Sequence, residues 1–182
     1  MQHRTIILTE LWEADRSTFI RNLCRCTGRY TESESDQEIP LPCPTAFGFP
    51  IMVDLYLMIL TTGSGMVMPF LIERYFPEVI GFIVMVDSTQ PDLSTAAMMI
   101  ERYAGYGAPR ISILVAANKQ DAPEARSIDD LRVALNLPDT IPIVPCIATD
   151  LQSVKQVFLT AVENRLSPDE YQAACTNLGV VI

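Results

Sequence analysis

The sequence predicts an α/β fold in three layers, a mostly parallel six-stranded sheet with helices on both faces. Three observations carry this. The apolar run VIGFIVMVDS, from Val79 to Ser88, is unbroken, as in a central parallel strand covered on both sides. Short β-branched runs alternate with stretches of helical period along the chain, the signature of βα units. Near the end, Leu151, Val154, Val157, Phe158, Ala161, Val162 and Leu166 repeat with the 3.6 period of an amphipathic helix.

TIILT, from Thr5 to Thr9, is a short buried strand. Ser17 to Cys26 is a helix with Phe19, Ile20, Leu23 and Cys24 on one stripe. TESESDQEIPLPCP, from Thr31 to Pro44, has four acids, three prolines and no base, which makes it a loop. A strand lies within IMVDLYLMILTT, with an earlier one around Thr45 to Met52. SGMVMPFLIERYF enters a helix, because Pro69 fits only a first turn. After the central strand come a helix over Leu93 to Tyr106 and the buried strand RISILVAAN. Ser127 then caps a short helix, and IPIVPC is the last strand. Asp150 caps the amphipathic helix, and Ser167 with Pro168 opens one more. Residues 1–166 read as one domain and 167–182 as a C-terminal tail with a short helix.

The 182 residues include 49% apolar residues, enough for a sizeable core. The net charge of -9 argues against nucleic acid and anionic membranes as partners. The five cysteines fit no zinc or disulfide spacing and read as reduced thiols in a cytoplasmic protein. MQHRTIILTE is too short and too soon polar for a secretory signal, and no apolar run reaches the ~18 residues of a membrane span. In a parallel sheet, ligands bind beyond the carboxyl ends of strands. Those ends are Thr9 to Ser17, Thr61 to Gly65, Asp87, Asn118 to Asp121, and Cys146 to Asp150.

AANKQD follows a buried strand directly, and VPCIATD stands one helix and one strand later. Together with VMVDSTQPD, these motifs resemble the Ras superfamily of small GTPases, in particular the bacterial group that includes the gliding-motility GTPase. The resemblance covers Thr5 to about Leu166. It implies a P-loop NTPase-like fold, GTP and GDP binding with magnesium, and action as a switch alongside small Roadblock-type partner proteins. It further implies that Asp121 reads guanine, since a carboxylate accepts two parallel hydrogen bonds from the ring N–H and the amino group. On the same basis the Lys119 stem covers the base, Asn118 ties neighbouring loops together, and the Ala148 N–H meets the guanine oxygen. Cys146 reads as a core residue, since the only histidine is His3.

The departures fall in the other half of the site. A phosphate loop, G-x-x-x-x-G-K-[ST], needs glycines so that backbone N–H groups can surround phosphate. Here Glu10 and Asp15 replace both glycines, Arg16 replaces the lysine, and only Ser17, followed by Thr18, fits. In LTTGSG, Gly63 matches the glycine of the Asp-x-x-Gly motif, but Leu60 stands where its Asp belongs. Ser64 or Gly65 falls where a water-positioning glutamine is expected. Thr45 is the candidate threonine of the first switch. A base-reading half without its phosphate half is the pattern of a pseudo-GTPase with no catalytic residue, no metal ligand set and no expected cofactor, acting through a protein partner. Met66, Met68, Phe70 and Leu71 are candidates for an apolar partner patch. Trp12 and Leu11 would fill the vacated phosphate site.

Two other readings are open. One is a slow GTPase binding GTP or GDP with magnesium through an atypical loop, in which Arg16 and Arg21 offset Asp15 and the helix head draws the phosphates. The other is a receiver-like doubly wound domain with Glu10 and Glu13 as its acidic pair and Asp87 as phospho-acceptor.

Overall fold

The computed structural model describes residues 2–11, 15–26, 45–52, 55–62, 79–106 and 111–180. The strands are β1 (Gln2–Leu11), β2 (Thr45–Pro50), β3 (Leu55–Thr62), β4 (Val79–Asp87), β5 (Ser112–Asn118) and β6 (Ile143–Pro145). The helices are α1 (Arg16–Cys26), α2 (Ser94–Tyr106), α3 (Ile128–Ala134), α4 (Leu151–Val162) and α5 (Pro168–Asn177). The chain is α/β, and the sheet order among these strands is β2-β3-β1-β4-β5-β6. β1 runs parallel to both β3 and β4, β4 to β5 and β5 to β6, while β2 is antiparallel to β3 at the edge.

Strand period explains the two cores. Alternate side chains of β1 face opposite ways. Ile6 and Leu8 join Phe19, Leu23, Val157 and Phe158 on one side. Ile7 joins Leu93, Ile100, Tyr103 and Leu131 on the other. Helices α1, α4 and α5 therefore cover one face, and α2 and α3 cover the opposite one. Tyr103 on α2 stacks on Phe82 of β4, with ring centres 5.6 Å apart.

The predicted caps are present. Ser127 and Asp150 accept hydrogen bonds from Asp130 and Ser153 at the heads of α3 and α4. Ser167 and Glu170 form a reciprocal capping box before Pro168 at the head of α5. α5 lies on the core, with Ala174, Cys175 and Leu178 all buried. α4 ends at Val162, short of the expected Leu166, yet Leu166 stays buried in the same core. No helix among the described residues is long and apolar enough to cross a membrane.

One boundary differs in a way that bears on function. β1 continues past Thr9, with Glu10 opposite Met85 and Leu11 opposite Val86. Glu10 thus belongs to the strand and not to a phosphate loop. The pairing partner decides this, because β4 offers apolar, ladder-forming residues as far as Val86. Only residues 12–15 separate β1 from α1.

Candidate functional site

β1 has β3 on one side and β4 on the other, so the chain order reverses around it. The carboxyl ends of strands at such a point form a crevice. A cavity of about 230 Å³ lies there, lined by Asp15, Asn118, Lys119, Asp121, Ala148 and Thr149 among others. Three separate turns supply it: the one into α1, the one after β5 and the one after β6. The residues singled out in AANKQD and PCIATD therefore meet in space, together with Asp15.

Asn118 holds these turns together. Its side chain is 2% exposed. Its Oδ1 accepts the Ala148 N–H at 2.9 Å, and its Nδ2 donates to Asp15 Oδ2 at 3.3 Å. From the other side, Asn22 Nδ2 donates to the Ala148 carbonyl at 2.6 Å. Both backbone groups of Ala148 are thus engaged by protein. The Ala148 N–H, expected to meet a ligand oxygen, is here the donor to the buried Asn118 amide oxygen. Thr149 is the next residue of the turn to line the cavity.

Lys119 points its ammonium away to Asp87, with Nζ 2.8 Å from Oδ2. Asp87 is 2% exposed and also accepts from the Thr89 N–H at 2.9 Å, the Thr89 hydroxyl at 2.7 Å and Gln90 Nε2 at 3.3 Å. Burial pushes the Asp87 carboxyl up, but the bonds from Lys119, Thr89 and Gln90 outweigh it and hold the group below its ordinary value.

The turn after β5 is pinned along its length. Gln120 Nε2 donates to Ser88 Oγ at 2.7 Å and to the Arg126 carbonyl at 3.1 Å. The Ser88 N–H donates to the Asn118 carbonyl at 3.0 Å. Asp121 projects from this fixed turn at the cavity and is exposed.

Two residues beside the cavity have left-handed backbones, Asp15 at φ 61° and Lys119 at φ 63°. Such geometry costs a side-chain-bearing residue about 1–2 kcal/mol and favours glycine. Asp15 thus keeps the backbone that glycine prefers while carrying a carboxylate. It stands directly before α1, where its carbonyl accepts the Phe19 N–H at 2.9 Å.

Among the described residues, the remaining predicted ones are not part of the cavity lining. Arg16 is buried, and Ser17 and Thr18 are half-buried, in the first turn of α1. Thr45 opens the edge strand β2 opposite Thr61. Gly63, Trp12, Glu13, the patch from Met66 to Leu71 and the segment Thr31 to Pro44 lie outside the described residues, as does Cys43. Leu11 falls in β1, not in a loop. Cys146 is fully buried, and burial pushes its thiol up to about 12, against the pull of Ser153. That thiol is unsuited to nucleophilic work.

A larger cavity of about 370 Å³ opens at the amino ends of the strands, lined by Ser112, Ile113, Pro138, Thr160 and Arg165 among others. None of the predicted site residues lines it. Sequence reasoning missed Asn22, the Lys119–Asp87 pair and Thr149. Asn22 bonds across 126 positions of sequence, so no local signal could have found it. Compared with known proteins, the chain matches no family model and no curated protein.

Proposed function

We propose that the chain is a small-GTPase-like regulatory domain, a pseudo-GTPase of the P-loop NTPase-like class with a six-stranded sheet. It keeps a base-reading pocket, lacks a phosphate cradle, does not hydrolyse GTP and acts through a protein partner. The resemblance of AANKQD and VPCIATD to Ras-type motifs supports this, and so does the meeting of Asn118, Lys119, Asp121 and Ala148 at one cavity.

The observation that carries the loss of the phosphate half is the connection from β1 to α1. Glu10 is spent in the strand, only residues 12–15 remain, and the last of them is an acid. A carboxylate ~4 Å from a phosphate charge costs up to about 4 kcal/mol near a protein surface. That is a large part of the about 8 kcal/mol behind a micromolar affinity. Binding of GTP or GDP with magnesium is correspondingly absent or weak, and the partner, of Roadblock type or another regulator, supplies the output.

The test is direct. Purified protein releases no guanine nucleotide on denaturation, and GTP with magnesium leaves its melting temperature unchanged. Phosphate release from GTP stays at background. A melting shift of several degrees with GTP, or turnover above background, overturns this reading in favour of a slow GTPase.

A further inference from the structure

We infer that the larger cavity, at the amino ends of the strands, is a second binding site, for a small organic monocarboxylate with an apolar body. This site stands whether or not the first cavity takes a base. β5 lines it with Ser112, Ile113 and Leu114 and reaches Asn118 roughly 20 Å further on, so the two cavities lie at opposite ends of one strand.

Size and walls come first. About 370 Å³ falls within the roughly 300–1,000 Å³ of small-molecule sites. Ile111, Ile113, Leu114, Ile141 and Ala161 give it apolar walls. An apolar body placed there leaves water for a surface of its own kind.

Charge sets the polar end of the ligand. Among the residues that line this cavity, Arg165 is the only ionisable one. The first cavity, by contrast, has the carboxylates of Asp15 and Asp121 in its lining. In a chain of net charge -9, a cavity whose one charge is a cation is a local exception. Arg165 follows closely on Val162, the last residue of α4, and the carbonyl end of a helix favours a cation there.

Hydrogen bonding narrows the class. Carbonyls around the rim already have donors. Arg132 Nη1 donates to those of Pro138 and Ile141 at 2.9 and 3.1 Å, and the Val115 N–H donates to that of Pro142 at 2.9 Å. The Val162 carbonyl accepts the N–H groups of Arg165 and Leu166 at 2.9 and 3.1 Å. The hydroxyls of Thr160 and Ser112 donate to the Gln156 and Ile80 carbonyls at 2.9 and 3.4 Å. A ligand thus meets acceptors that are largely spent, whereas a guanidinium carries N–H donors in a rigid fork. A group with two oxygens and no proton to give matches that fork, and a carboxylate is such a group. A phosphate dianion would bring a second charge, with no second cation in the lining to meet it.

The test is a titration of the isotope-labelled full chain with octanoate, octanol, acetate and octyl phosphate, followed by amide chemical shifts. Octanoate should move the amides of Ser112, Ile113, Thr160, Asn164 and Arg165 most. It should bind at least about tenfold more tightly than octanol, acetate or octyl phosphate. Arg165→Gln should bring octanoate down to the level of octanol and leave octanol unchanged. Arg165→Lys should keep part of the preference. Ala104→Trp, at an exposed position of α2 on the cavity lining, leaves Arg165 in place and narrows the space. It should weaken octanoate by about tenfold, and it serves if the Arg165 variants fail to fold. The assignment falls if octanol or octyl phosphate binds as tightly as octanoate, or if octanoate binding survives Arg165→Gln in a folded protein. It falls equally if the moved amides lie around Asn118 to Asp121 instead, or if octanoate does not bind at millimolar concentration.

Discussion

Asp15 combines two conflicting demands in one residue. Its backbone takes the left-handed conformation, and its side chain is bonded to Asn118 at 3.3 Å. Asp15→Ala keeps the strain and loses the bond, whereas Asp15→Gly removes both. The alanine variant should be less stable than the glycine variant by about 1 kcal/mol, read as a melting difference of roughly 2–4 °C. At Lys119 the issue is charge. The Asp87 carboxyl sits below its ordinary 3.8 in the folded chain. Its pairing therefore contributes stability above the unfolded value, and that contribution is lost as pH falls through the lower folded value. Lys119→Met leaves the buried carboxylate with neutral partners only. It should cost about 1–3 kcal/mol at neutral pH. Acid unfolding, followed by circular dichroism, should begin at a higher pH than in the parent.

Among the elements, β1 and α1 show what local sequence can and cannot announce. The apolar period over Phe19, Ile20 and Leu23 marks the helix and its buried face. Asn22 looks like a solvent-facing residue on that pattern, yet it is 5% exposed and bonded to the Ala148 carbonyl. Asn22→Leu would leave that carbonyl without its donor. The change should cost about 1–3 kcal/mol and speed amide exchange in the turn from Cys146 to Asp150. The end of β1 was equally hidden, because it depends on how far β4 offers a ladder and not on residues near Glu10.

For the molecule as a whole, the α/β class was legible because its signals are long and repeated. The run from Val79 to Asp87 and the period of α4 each span several turns or pleats. The site was legible as a set of residue types in AANKQD and PCIATD. Its charge balance was not, since that depends on Lys119 turning to Asp87. The segment after Leu166 read as a tail with a helix, and α5 places Ala174, Cys175 and Leu178 in the main core. Ending the chain at Leu166 should therefore remove at least about 3 kcal/mol of apolar burial, a large share of a typical stability of 5–15 kcal/mol. The shortened chain should melt earlier and bind a hydrophobic dye. An unchanged melting curve would mean that α5 is an appendage.

Asn118 gives the fold a keystone with a thermodynamic consequence. One side chain holds the turn before α1 with its nitrogen and the turn before α4 with its oxygen. Anything that shifts one grip biases the other. If a molecule lodged in the cavity changed the hold of a protein resting on the head of α1, that protein would change the hold of the molecule by the same factor. Such a linkage would carry the state of the pocket outward without the breaking of any bond to phosphate.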